Sequence, residues 1–253
     1  MPADISIVDE GNVRRITIAR AHKANALRPE ECAAIQHAVE EAAAVARVIL
    51  FRGAGARSFS AGMDVAAFLG LDPASARQLI ESVRGMLHAV RTSPLPTIAA
   101  INGACIGAAL ELAAACDFRI AVDTAVFGLP EVKLGIPSVL DAALLQQYVG
   151  LSLAREMILF GDLYPAERMA RAGFINRMVT ASALDDAVRE TLSRLLPLTR
   201  TVLAAQKQLF EIWQNYGIEA ANRISVDVFA GTFNEPETIT AIEAYGAKIA
   251  RRS

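Results

Sequence analysis

The sequence predicts an α/β core with helix-covered sheets, followed by a helical appendage. Up to about Leu140, short runs that are apolar or β-branched throughout alternate with helix-period segments, the pattern of parallel strands buried on both faces. Beyond Leu140 the chain becomes mostly helical, and after Pro197 three helices follow one another through minimal turns. With 253 residues, 53% of them hydrophobic, the chain supplies a large core.

Residues 5–8 and 13–19 flank Glu10-Gly11-Asn12 and read as a hairpin. Residues 29–46, rich in Ala and Glu with apolar positions at helical spacing, predict a helix, and 48–53 a short buried strand ended by glycine. The alternation then repeats as helix 74–90, strand 96–101, helix 108–115 and strand 118–122. Helices at 151–160, 166–172 and 183–196 enclose a short strand at 175–179, and the last three helices span 199–216, 217–232 and 235–250. The boundary falls at Pro197: 1–197 is the α/β body and 198–253 the helical region. No low-complexity segment or sequence repeat interrupts either.

Charged residues make up 21% of the chain and the formal net charge is −2, with Lys and Arg scattered, so neither nucleic acid nor a membrane surface is favoured as a partner. No apolar run reaches bilayer-spanning length, and Met1-Pro2-Ala3-Asp4-Ile5-Ser6 lacks the basic start and apolar stretch of a secretory signal, so the expected location is the cytoplasm. Cys32, Cys105 and Cys116 show no paired spacing, and His22, His37 and His88 build no metal constellation. Reduced core thiols and no metal are expected.

The chemistry concentrates in residues 100–121, which read as a strand, a tight turn of small residues, and an apolar helix. A helix start exposes unpaired N–H groups and the positive end of the dipole, so it can hold a developing negative charge. Ala108 lies in that first turn, and Glu111, three residues on, shares its face. A lone Glu in such a helix is ordinarily solvated, but Leu110, Leu112, Ala113, Ala114, Ala115 and Cys116 are apolar almost all round and imply a buried helix. A buried carboxylate requires a partner or a task.

A second loop, 57–64, has similar character. Ser60, Ala61 and Gly62 let a backbone or ligand approach closely, and the Met63 N–H lies at a helix entrance. By itself this is a strand-to-helix connection; two such donors from separate loops are what an oxyanion hole requires. A third element, 127–137, sets Glu131 between two Pro/Gly turns, where its plain reading is a loop carboxylate solvated or paired with Lys133.

Residues 102–121 resemble the signature of the enoyl-CoA hydratase/isomerase family, also called the crotonase family. The resemblance extends over nearly the whole chain: 20–27 is similar to the family's early Arg-Pro…Asn-Ala-Leu motif, 58–64 to its first oxyanion loop, 129–131 to its second acid segment, and Ala205-Gln206-Lys207 to its later helix motif. The implied fold is the crotonase-like spiral of ββα units with a C-terminal helical oligomerisation region. The implied activity is that of an enoyl-CoA hydratase, with Glu111 as the base aligning water, Glu131 as the acid protonating C2, and the Met63 and Ala108 N–H groups as the oxyanion hole. Ala24, Ser60, Ala61, Gly62, Asp64 and Gly107 are the implied substrate contacts. Phe229, Phe233, Tyr245 and Lys248 map to residues that close the next subunit's CoA site in a homotrimer or hexamer. Coenzyme A is then part of the acyl-CoA substrate, with no separate cofactor.

Several positions depart from the family pattern. Ala21 stands where proline is usual, Met63 and Ala108 where smaller residues are common, and Ala66 where a basic residue is often found. The glycine-rich turn after the second glutamate is replaced by Pro137-Ser138-Val139-Leu140-Asp141, which makes Asp141 a third candidate acid or, equally, a helix-start carboxylate. The alternative activity is that of a Δ3-Δ2 enoyl-CoA isomerase or another enolate-forming lyase, and a non-catalytic binding protein on the same fold is the remote one.

Overall fold

A computed structural model describes residues 4–250; residues 1–3 and 251–253, the ends of the predicted body and helical region, lie outside the described residues. The hairpin forms as the alternation dictates, β1 (Ile5–Glu10) pairing antiparallel with β2 (Val13–Ile18). Helix α1 (Pro29–Ala42) follows, turning Cys32, Ile35, Ala38 and Val39 into the core.

From there the chain runs as strand, strand, helix in successive turns. β3 (Val48–Gly53) and β4 (Ser58–Ser60) precede α2 (Pro73–Thr92); β5 (Thr97–Ile101) and β6 (Ala104–Ile106) precede α3 (Ala108–Ala115). β7 (Phe118–Val122) and β8 (Val126–Gly128) precede α4 (Leu145–Phe160), which kinks at Gly150. Then come β9 (Tyr164–Pro165), α5 (Ala166–Arg171), β10 (Arg177–Val179) and α6 (Leu184–Leu195). The first strand of each turn joins a six-stranded sheet of order β1-β2-β3-β5-β7-β10, and the second joins a four-stranded sheet of order β4-β6-β8-β9. This is the spiral of ββα units that the family resemblance implies.

Residues 104–106, where the small residues predict a turn, form a strand of the smaller sheet. Its strands are two or three residues long and pair with neighbours a whole spiral turn away, parallel from β4 to β6 and from β6 to β8. α4 also begins six residues before the expected 151, because the kink at Gly150 divides it.

The C-terminal region is three helices, α7 (Arg200–Asn215), α8 (Ile218–Thr232) and α9 (Pro236–Ala250). α7 is tied to the body by charge: the buried Lys207 ammonium donates to Asp117 at 2.7 Å, and the half-buried Glu211 accepts from Arg91 at 3.2 Å. α8 and α9 bury little on this chain; Val226, Phe229, Phe233, Ile242 and Tyr245 stay exposed. Cys32, Cys105 and Cys116 are free and buried, as expected. Among the described residues no helix is long and apolar enough to cross a membrane.

Candidate active site

Stacking the spiral turns aligns the ends of β4, β6 and β8, so that the loop after each strand meets the other two. Gly62, with φ of 83°, lies so close to the start of α3 that a Cβ on it would stand 2.6 Å from the Ile106 carbonyl oxygen and 3.2 Å from the Ala108 nitrogen. Only glycine fits a left-handed position at that separation. The next amide is that of Met63, and its direction is set by a parallel bridge to Leu27: the Leu27 N–H donates to the Gly62 carbonyl and the Asp64 N–H to the Leu27 carbonyl, both at 2.7 Å. Because alternate residues of an extended chain point their N–H groups to opposite sides, the Met63 N–H is directed away from Leu27. Two buried asparagines pin the preceding loop. Asn102 exchanges hydrogen bonds with both backbone groups of Gly53, and the Asn25 amide donates to the carbonyls of Ala54 and Ser58.

Helix α3 is buried along its whole length, and its first amide, that of Ala108, follows the N-cap Gly107. Such a first-turn N–H has no acceptor within the helix. One turn in, Glu111 is 6% exposed and its Oε1 accepts the Ala142 N–H at 3.2 Å. Glu131 sits on a 3₁₀ turn, Pro130–Leu134, following β8; its Oε2 accepts from the Ser138 hydroxyl at 3.0 Å. Lys133 donates to Asp162 rather than to Glu131, which removes the plain ion-pair reading of this loop.

These groups share a cavity of about 240 Å³. Ala61, Met63, Gly107, Ala108, Glu111 and Glu131 line it, with Ser138 and the apolar side chains of Val65, Phe68, Ile80, Val83, Ile106, Leu134, Ile136 and Val139. In this low-dielectric wall the carboxyls resist ionisation. Burial, with the Glu131 and Asp141 charges opposing a second negative charge, raises Glu111 to about 8 against the weaker pull of the Ala142 N–H. Burial also raises Glu131, opposed by its backbone and Ser138 hydrogen bonds, which favour the ionised form.

Not every expected contact reaches the cavity. Ser60 is fully buried and its hydroxyl accepts the Gly62 N–H; the Ala24 carbonyl accepts the Ala61 N–H; Asp64 caps a 3₁₀ turn and pairs with Arg20 at 2.7 Å. With Gly62 they shape the loop instead of lining the cavity. Phe229, Phe233, Tyr245 and Lys248 are exposed on α8 and α9 and outside the cavity of their own chain. Asp141 is buried and paired with Arg91, also outside the lining. Sequence reasoning missed Ser138, whose hydroxyl beside the second glutamate was legible only as a departure from a glycine-rich turn, and Ile80 and Val83, which share helical spacing with the core residues of α2. Among the described residues no group of three His, Cys, Asp or Glu side chains is arranged to hold a metal ion.

Residues 9–250 match the family model described as enoyl-CoA hydratase/isomerase. The chain belongs to the enoyl-CoA hydratase/isomerase family. Among its relatives, a crotonyl-CoA hydratase of Syntrophomonas wolfei is 30% identical over 245 residues, covering 94% of each chain. A carnitinyl-CoA dehydratase of Escherichia coli K12 is 33% identical over 178 residues, 70% of this chain and 68% of the relative. The crystal structure of an enoyl-CoA hydratase from Mycobacterium smegmatis superposes with a TM-score of 0.92 at 25% identity, covering 98% of this chain and 97% of that one. The family membership accounts for the spiral.

Proposed function

We propose that the protein is an enoyl-CoA hydratase, adding water across the 2,3 double bond of a 2-enoyl-CoA thioester. The observation that carries the reading is the placement of two carboxyl groups, Glu111 and Glu131, in one apolar cavity beside the Met63 and Ala108 amides. The thioester oxygen lies between those two N–H groups. As water oxygen bonds to C3, the C2=C3 electron pair moves toward the thioester and leaves enolate charge on that oxygen; protonation at C2 returns the charge and restores the carbonyl. Losing one oxyanion donor costs about 3 kcal/mol in other enzymes, so the pair accounts for much of the rate.

Hydration needs a base to take a proton from water and an acid to give one to C2. The family resemblance assigns the base to Glu111 and the acid to Glu131. Burial raises both carboxyls, Glu111 to about 8, whereas a base must start ionised. The two act as a coupled pair, and the difference concerns where the proton starts, not which residues carry it. The relative named crotonyl-CoA hydratase supports the same chemistry, and the hydrocarbon wall of the cavity favours an aliphatic acyl chain. Coenzyme A arrives with the substrate, and no separate cofactor or metal enters the reaction. We assign assembly to a homotrimer or hexamer, with Phe229, Phe233, Tyr245 and Lys248 closing a neighbouring subunit's CoA site.

The test is the ultraviolet absorbance of crotonyl-CoA in plain buffer. Water addition destroys the conjugated enoyl chromophore and the signal falls. If crotonyl-CoA is stable while a 3-enoyl-CoA gains absorbance, the protein is an isomerase and the hydratase reading fails.

A further inference from the structure

Residues 138–142 touch both glutamates. The Ser138 hydroxyl donates to Glu131 Oε2 at 3.0 Å, and the Ala142 N–H, shared with the Val139 carbonyl, donates to Glu111 Oε1 at 3.2 Å. The segment is not stiff by its own design: Val139 is exposed, and Leu140 has φ of 52°, a left-handed conformation that a side chain disfavours. Residues Leu140–Leu144 form a 3₁₀ turn with Ala142 packed in the core, and a further tie is Asp141. Its Oδ1 accepts from Arg91 of α2, and the same guanidinium donates to Glu211 of α7. Asp141 Oδ2 is buried with no hydrogen-bond partner. Burying a carboxylate with one oxygen unpaired is unfavourable, so simple stability does not account for an acid here.

The geometry points to Asp141 as a positioning residue: through its ion pair with Arg91 it fixes residues 138–142, and with them the donors that orient Glu131 and Glu111. Glu211 extends this network into α7, so the C-terminal region and Glu111 are joined by one chain of contacts from Glu211 through Arg91 and Asp141 to the Ala142 N–H. The inference rests on reading the two glutamates as the acid/base pair. Asp141 touches neither the cavity nor the reacting atoms; apart from the repulsion of its charge on Glu111, its effect passes through its neighbours.

The experiment compares Arg91→Ala, Asp141→Ala, Asp141→Asn and the double alanine variant in the full-length protein. Turnover of crotonyl-CoA is expected to fall about 10- to 100-fold in each alanine variant, the scale of a small misplacement of catalytic groups. KM and the Kd for butyryl-CoA, which cannot be hydrated, stay within about twofold, since binding is not what is lost. The double variant is no worse than the weaker single, because both break one link. Asp141→Asn, which keeps an oxygen for Arg91, retains more turnover than Asp141→Ala and serves if the alanine variant does not fold. Hydrogen exchange accelerates in the peptide covering 138–142 and not elsewhere, and the infrared carboxyl band identified by its loss in Glu111→Gln shifts. Unchanged turnover, additive single effects, or an unmoved band and exchange rate overturns the proposal. If the wild-type protein hydrates no enoyl-CoA, the hydratase reading falls separately, and the carboxyl band and exchange still decide whether Asp141 positions Glu111.

Discussion

Gly107 leaves room for Glu131: a Cβ built on Gly107 would stand 2.9 Å from Glu131 Oε1. The glycine also has φ of 58° and ψ of −131°, a conformation closed to residues with side chains, so two independent constraints meet at the N-cap of α3. Gly107→Ala is therefore expected to lower turnover by about 100-fold by displacing the carboxyl, and to cost about 1–3 kcal/mol of stability through backbone strain. Steady-state kinetics with crotonyl-CoA and urea unfolding measure the two separately. Retention of full activity would mean that Glu131 works from a different position.

Replacing either glutamate by its amide keeps shape while removing the proton exchange. Glu111→Gln and Glu131→Gln should each reduce turnover by about 10²–10⁴-fold, with the Kd for butyryl-CoA nearly unchanged. Calorimetric titration beside the rate assay distinguishes a lost acid or base from a damaged pocket. Near-wild-type turnover in one variant would remove that residue from the mechanism.

Glu111 also makes stability depend on pH. Its carboxyl titrates near 8 in the folded protein and at about 4.5 when unfolded, so between those values the folded state binds more protons than the unfolded one. Stability from this group is fully present below the lower value and is lost as pH rises toward the upper one, at no more than about 1.4 kcal/mol per pH unit. Glu111→Gln cannot titrate, so its advantage over wild type should grow between about pH 5 and about pH 7.5, inside the window from 4.5 to about 8. Parallel urea-derived stability curves for the two proteins would contradict the assigned shift.

Much of this site was legible because its parts are local. Strand 48–53, helix 108–115 and strand 118–122 fall at the residues where they were expected, since each is a short apolar run bounded by glycine or a polar residue. Glu111 stood out because a carboxylate inside an all-apolar helix has no ordinary explanation. The smaller sheet was not legible: β6 is three residues long and its partners β4 and β8 lie in other turns of the spiral, so no local pattern encodes it. At Ser60 and Asp64 the fold adds what the sequence does not show: their side chains are taken up by the Gly62 N–H and by Arg20. Ser138 and Arg91 act through residues far from them in the chain, 7 positions away for Glu131 and 50 for Asp141, and only the fold brings those pairs together.

The exposed faces of α8 and α9 carry the last prediction. Phe229 and Tyr245 are each 66% exposed on a single chain, and Val226, Phe233 and Ile242 are exposed as well. The alternative in which these side chains fold back on their own α/β body is not what the helices do. A surface of this kind is normally covered by a partner, and in the proposed assembly that partner is a second copy of the chain. Phe229→Glu should then shift sedimentation from a trimer or hexamer to the monomer and lower activity with it, because a neighbour's helices would no longer close the CoA site. In a protein that works as a monomer the same substitution falls on solvent and changes stability by about 0.5 kcal/mol or less. Sedimentation of wild-type protein as a fully active monomer at assay concentration would overturn the assembly and, with it, the assignment of Phe233, Tyr245 and Lys248 to a neighbouring site.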